Sequence, residues 1–246
     1  MGYRNTRAYK GLKRYIKGTS KKIVGWSDIF DHESAMRFQA LLEAAEYAGK
    51  HMAKAFKSHD KHEVLLHTLE HVPKGGLVLE FGVWTGRTIN TIAERVGRSR
   101  TVHGFDSFEG LPEDWYGAYK EGTFHTGGKL PKVRSNVVLH KGWFDKTLPD
   151  FASSQSEKIA FLHIDCDLYS STKTIFEFLG DRILPGTVIL FDEYFNYPGW
   201  REHEYKAFKE FIASNELQYR YLAYNTSETN VGVQIIKDDA SNQGRG

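Results

Sequence analysis

The chain reads as an α/β protein: a doubly wound, mostly parallel seven-stranded sheet with its last strand antiparallel, preceded by N-terminal helices. Three features carry that reading. From residue 77 onward, short unbroken apolar runs alternate with helical periodicity, the pattern of strands covered on both faces. The final two runs, "YRYLAY" and "VGVQII", are joined only by the polar "NTSETN", too short for a crossover, so the last strand turns back. Two central runs end abruptly in carboxylates, at the strand ends where open parallel sheets bind their ligands.

The elements follow in order. Asp31 is placed to cap a long amphipathic helix whose stripe is Phe38, Leu41, Ala45, Ala48, Met52 and Phe56. A second helix runs through Leu65, Leu69 and Val72 and stops at Pro73 and the Gly75-Gly76 pair. The strands are "LVLEF" (77–81), "TVHGF" (101–105), "NVVLH" (136–140), "IAFLHI" (159–164) and "TVILF" (187–191), followed by the two closing runs. Helices are expected through Ile89, Ile92 and Val96, through Ile175, Phe176 and Leu179, and over 201–214. Segment 106–136 lacks periodicity but is rich in aromatics, which favours a lid over disorder. The expected organisation is a basic arm (1–30), a helical cap (31–72), the α/β domain (73–237) and a disordered tail (238–246).

Composition sets the limits. The 246 residues are 40% hydrophobic and 26% charged, ordinary for a globular chain, and one cysteine, Cys166, excludes an internal disulfide framework. No apolar run is long enough to span a bilayer and no signal peptide opens the chain, so a soluble, cytoplasmic protein is expected. Residues 1–24 carry eight Lys or Arg and no acid, leaving 25 basic against 31 acidic residues elsewhere. Such an arm could touch nucleic acid or a membrane surface, but a solvated terminus explains it more simply, and nucleic acid is an unlikely partner.

The first candidate site is the turn in "LEFGVWTGRT". Gly82 and Gly86 flank Val83, Trp84 and Thr85, a helix opens behind them, and Asp106 ends the next strand twenty residues on. Glycines permit a tight turn, a helix N-terminus presents free N–H groups, and an acid there can accept hydrogen bonds from ribose hydroxyls. Trp84 stands where a dinucleotide fingerprint needs its middle glycine, which disfavours a nicotinamide pyrophosphate. A nucleoside cofactor without phosphates tolerates that bulk and points to S-adenosylmethionine.

The second is "FLHIDCDLYSSTK" (161–173), where Asp165 and Asp167 end one strand, together with Asp192 and Glu193 at the end of the next. Single acids at strand ends simply cap helices or meet water. Paired acids on neighbouring strands repel unless a cation sits among them, and all-oxygen ligands suit Mg²⁺ first, then Mn²⁺ or Ca²⁺. No His/Cys spacing fits zinc.

Five motifs in order, "LEFGVWTGRT", "GFDSFEGLPEDW", "GWFDKTLP", "HIDCDLYSSTK" and "GTVILFDEY", resemble the macrocin O-methyltransferase (TylF-like) family over about residues 73–215. The resemblance implies a Rossmann-like class I methyltransferase fold and a metal-dependent transfer from S-adenosylmethionine to a hydroxyl of a sugar or other vicinal-diol small molecule. It places Glu80, Gly82 and Gly86 at the methionine end of the cofactor, Asp106 at its ribose, and Gly142, Trp143 and Phe144 beside its adenine. Val83, Trp84, Thr88, Ser107 and Asp165 complete that site. Asp165, Asp192 and Glu193 correspond to the metal ligands, with Glu193 where a second Asp is usual. Asp167 corresponds to the general base, acting with Asp165. Acceptor contacts are expected from Trp115, Tyr116, Tyr194 and Tyr197, and self-association through the N-terminal helices. Leu168 stands where catechol methyltransferases carry Lys, and "DCDLY" where base-amino methylators of nucleic acid carry an Asn/Asp-Pro-Pro-Tyr element, so both rank as alternatives, below them a nicotinamide oxidoreductase. His163, His125 and His203 are fallback bases, His163 reading better as a core histidine and His203 as a surface one.

Overall fold

A computed structural model describes residues 31–237; the basic arm and the C-terminal tail expected from the sequence lie outside the described residues. The chain divides after Gln39 into two units. The described part of the first is the opening of helix α1 (His32–His51), capped as expected by Asp31, whose Oδ1 accepts the Ser34 N–H at 2.7 Å.

The second unit holds the rest of α1 and the whole sheet. In chain order it contains β1 (Phe56–Ser58), α2 (Lys61–Leu69), β2 (Leu77–Phe81), α3 (Arg87–Val96), β3 (Val102–Asp106), β4 (Val137–Lys141) and α4 (Phe144–Ser154). β5 (Ile159–Ile164), α5 (Tyr169–Leu179), β6 (Val188–Phe191), α6 (Glu204–Ser214), β7 (Gln218–Asn225) and β8 (Val231–Ile236) follow. The sheet is mixed and has eight strands, not seven, in the order β1-β7-β8-β6-β5-β2-β3-β4. β8 runs antiparallel to both β6 and β7, and the remaining pairs are parallel.

Three local expectations need correction. The additional strand is β1: Phe56 does not continue the first helix but pairs with Ala223 of β7, and its ring stacks on His67 at 4.3 Å. Three residues are too few to show a period of two, so the helical stripe absorbed them. The buried face of α1 is Ala40, Ala44 and Ala48, while Leu41 is exposed, and Tyr47 of the same helix packs edge-on against Trp200, Tyr205 and Tyr221. Helix α4 went unseen because Pro149 sits inside it.

Burial fixes the layers. One face of the sheet packs Leu79, Phe81, Leu162 and Ile164 with Leu148 of α4, Ile175 of α5 and Phe208 of α6. The other packs Val78, Phe161, Val188 and Leu190 with Val64 of α2 and Ile92 of α3. Strands β2, β5 and β6 are buried along their whole length, which accounts for their unbroken apolar sequence. The chain runs outward from β2 to β3 and β4, then crosses back to β5 on the other side of β2. The switch point, and the crevice that goes with it, therefore lies at the carboxyl ends of β2 and β5.

Candidate active site

A cavity of about 880 Å³ opens at that point, between the turn after β2, the ends of β5 and β6, and the segment after β3. Its floor is stitched by backbone bonds: Asp165 N–H donates to Phe81 O at 2.8 Å and Gly82 N–H to Phe105 O at 3.0 Å. Gly82 has φ 90°, and a Cβ there would lie 1.7 Å from the Asp165 carbonyl oxygen. Its glycine is thus required by the neighbouring strand and not by a ligand. Gly86, at φ 78°, starts α3 with Pro131 packed on it. Between them Trp84 takes φ 45° and stands half exposed.

Asp106 organises this turn. Its Oδ2 accepts the N–H groups of Val83 and Trp84 at 2.8 and 2.7 Å, and its Oδ1 that of Phe108 at 2.6 Å. A carboxylate offers about four lone-pair positions, so roughly one remains for a ribose hydroxyl. Most of the acceptor capacity expected to face a ribose is thus taken by the turn itself. Val83, Trp84, Thr88, Ser107, Trp143 and Phe144 line the cavity as well. Glu80, Gly86 and Gly142 do not: Glu80 is wholly buried with Oε1 3.1 Å from His163 Nδ1, and Gly142 donates its N–H to Asp106 O at 2.9 Å.

The acids meet at the opposite wall. β5 and β6 pair in parallel up to Ile164 and Phe191, so Asp165 and Asp192 follow at the same level. Carboxylate oxygens of Asp165, Asp167 and Glu193 all lie within 4.8 Å of one another. Asp167 reaches this point through a left-handed residue, φ 65°, and not by alternation along an extended strand. Asp192, also expected as a ligand, lines the same cavity; its carboxylate is bonded by Asn230 Nδ2 and sits 3.5 Å from Lys61 Nζ.

Burial is the first cause of the electrostatics here. Burial, then the Asp192 charge, pushes the carboxyls of Asp165 and Glu193 well above the usual carboxylate range. The same two causes push Asp167 up to about 7. Glu193 Oε2 is buried without a hydrogen-bond partner among the described residues, a costly condition in a folded protein. An all-oxygen donor set with an orphaned oxygen fits a hard divalent cation.

The lid expectation meets an ordered loop. Leu111 and Thr123 are tied by Leu111 N–H to Thr123 O at 2.9 Å, and Trp115 N–H donates to Tyr119 O at 2.9 Å. Trp115 and Tyr116 line the cavity. Tyr197 lies behind them, stacked on Tyr116 at 5.0 Å, with its hydroxyl donating to Glu193 O at 3.2 Å. Tyr194 is a correction: it is fully buried, its hydroxyl 2.8 Å from that of Tyr221, and it does not line the cavity because its ring packs in the aromatic core. His203 is likewise not a surface residue but packs half-buried against Trp115 and Tyr197. Sequence reasoning missed Glu204, Lys61 and Asn230, which touch the acidic residues from α6, α2 and the β7–β8 link and belong to no motif.

Residues 79–194 match a protein-family profile described as a methyltransferase domain. The chain is 31% identical over 141 residues to the 8-demethyl-8-(2,3-dimethoxy-alpha-L-rhamnosyl)-tetracenomycin-C 4'-O-methyltransferase of Streptomyces olivaceus, covering 48% of this chain and 53% of that one. It is 29% identical over 171 residues to the mycinamicin III 3''-O-methyltransferase of Micromonospora griseorubida, covering 58% and 66%. The chain thus spans about half to two thirds of the length of these curated relatives. Among the described residues no helix is long and apolar enough to cross a membrane. The crystal structure of a calicheamicin methyltransferase superposes with a TM-score of 0.56 at 21% identity, covering 86% of this chain and 98% of that one. Residues 79–194 are thus similar to a methyltransferase domain, and the structural likeness shows the mixed α/β fold.

Proposed function

We propose that the chain is an S-adenosylmethionine-dependent, divalent-cation-dependent O-methyltransferase acting on a hydroxyl of a sugar or another vicinal-diol small molecule. One observation carries the proposal: three carboxylates converge within 4.8 Å on the wall of a cavity that also holds the Gly82–Gly86 turn. The relatives named above support the acceptor class, since both are named as O-methyltransferases and one as acting on a rhamnosyl compound. Membership of the macrocin-type family, and self-association through α1, belong to the same proposal.

S-adenosylmethionine supplies an electrophilic methyl carbon, and a divalent cation supplies Lewis-acid polarisation of the acceptor hydroxyl. The chain's residues have the remaining tasks. Asp165, Asp167 and Glu193 hold the cation, with Asp192 adding negative field beside them. The turn and Asp106 take the nucleoside, with Trp143 and Phe144 beside its base. Trp115 and Tyr116 orient the acceptor, because a displacement at carbon needs its partners collinear. Asp167 accepts the hydroxyl proton at its carboxylate as general base.

Calorimetry separates this from its rivals. The protein should bind S-adenosylmethionine and Mg²⁺ and should not bind NADH. NADH binding without S-adenosylmethionine binding would make it an oxidoreductase, and salt-dependent RNA binding with methyl transfer to RNA would make it a nucleic-acid enzyme.

A further inference from the structure

Glu204 is the first residue of α6, carries no sequence motif, and is completely buried. Its carboxylate faces two loops at once. Oε1 accepts the backbone N–H groups of Cys166 at 3.4 Å and Asp167 at 3.2 Å. Oε2 accepts the backbone N–H of Glu193 at 3.1 Å. The loops after β5 and β6 leave neighbouring strands and share no ladder beyond Ile164 and Phe191, so this side chain bridges them where the sheet no longer does. Asp167 takes a left-handed backbone conformation, with φ 65°, and its N–H is one of the three that Glu204 holds. The hydroxyl of Tyr197 secures the other end of the Glu193 peptide.

Burying a carboxylate beside other carboxylates is unfavourable unless it is well hydrogen-bonded, so its presence calls for a reason. A neutral packing residue would fill the volume; only a side chain with two acceptor oxygens can take N–H groups from both loops. We infer that Glu204 is a positioning residue, which holds the backbones bearing Asp167 and Glu193 at the separation a divalent cation requires. The inference rests on the proposed function for the identity of the ion, and not for the bridge itself.

Two variants and two readouts test it. Glu204→Gln keeps one carbonyl acceptor and can serve one loop; Glu204→Ala serves neither. Hydrogen exchange in the metal-free protein should show the Cys166, Asp167 and Glu193 amides protected in the wild type, exposed on one loop in Glu204→Gln, and exposed on both in Glu204→Ala. Mg²⁺ titration by calorimetry should show affinity falling about 10- to 100-fold in Glu204→Ala and less in Glu204→Gln, the scale for groups that orient metal ligands. Thermal melting identifies any variant that fails to fold, and Glu204→Gln, the nearer isostere, then decides. A folded variant with wild-type Mg²⁺ affinity overturns the inference, even if its melting temperature falls. A wild type with protected amides that binds no Mg²⁺ overturns the proposed function and the ion-positioning role while leaving the bridge standing.

Discussion

The two walls of the cavity are built on opposite principles. On the β2 side, Asp106 receives three backbone N–H groups, and the glycines are accounted for by the backbone and proline that pack on them. On the β5–β6 side, carboxylates crowd one another, and Glu193 Oε2 has no partner among the described residues. The first wall is complete as folded. The second leaves a polar group unmet, and under the proposed function a cation would complete it.

The largest effect expected from this contrast falls on the crowded wall. Asp167→Asn should lower turnover by about 10²–10⁴-fold, the usual scale for a lost general base, and should also weaken Mg²⁺ binding. Retained Mg²⁺ affinity would leave Asp167 as a base only. Adding Mg²⁺ at a hundredfold excess over its dissociation constant should stabilise the wild type by about 2.7 kcal/mol, read as a rise in melting temperature. In EDTA, Asp165→Asn, which replaces a buried acid by a neutral amide, should be more stable than wild type by about 1 kcal/mol.

Smaller effects belong to the satisfied wall and the sheet edge. Asp106→Ala should weaken S-adenosylmethionine binding by about 1.5–3 kcal/mol, chiefly by releasing the turn. Unchanged affinity in a folded variant would remove Asp106 from the site. His103 and His140 lie 3.0 Å apart on β3 and β4, and burial first, then His140, holds the His103 imidazole down to about 4. Its folded value lies below its unfolded value of about 6.5, so the unfolded chain takes up the proton first. Stability is therefore full above pH 6.5 and declines as the pH falls towards 4. Melting curves over that range should show the slope in the wild type and a shallower one in His103→Asn.

The fold was legible where burial is two-sided. "LVLEF" and "IAFLHI" are strands at the bounds their apolar runs suggest. It was not legible where a neighbour decides: β1 exists because β7 offers an edge, and α4 forms across Pro149. The site shows the same division. The strand-end acids could be read because no buried strand ends in paired carboxylates without cause. Which three converge could not, since it depends on the φ of Asp167, and the partners of Asp192, Asn230 and Lys61, come from distant parts of the chain. Tyr194, one residue past Glu193, points into the core, and no pattern in "YFNYPGW" distinguishes it from its neighbours.

The most direct measurement is calorimetric titration of Mg²⁺ into EDTA-treated wild type, Asp165→Asn and Asp192→Asn, each with S-adenosylmethionine present. The account predicts a single site in the wild type, a large loss of affinity in Asp165→Asn, and a smaller loss in Asp192→Asn, whose carboxylate is already engaged by Asn230 and Lys61. A wild type that binds no divalent ion, yet transfers methyl groups at full rate, would contradict it.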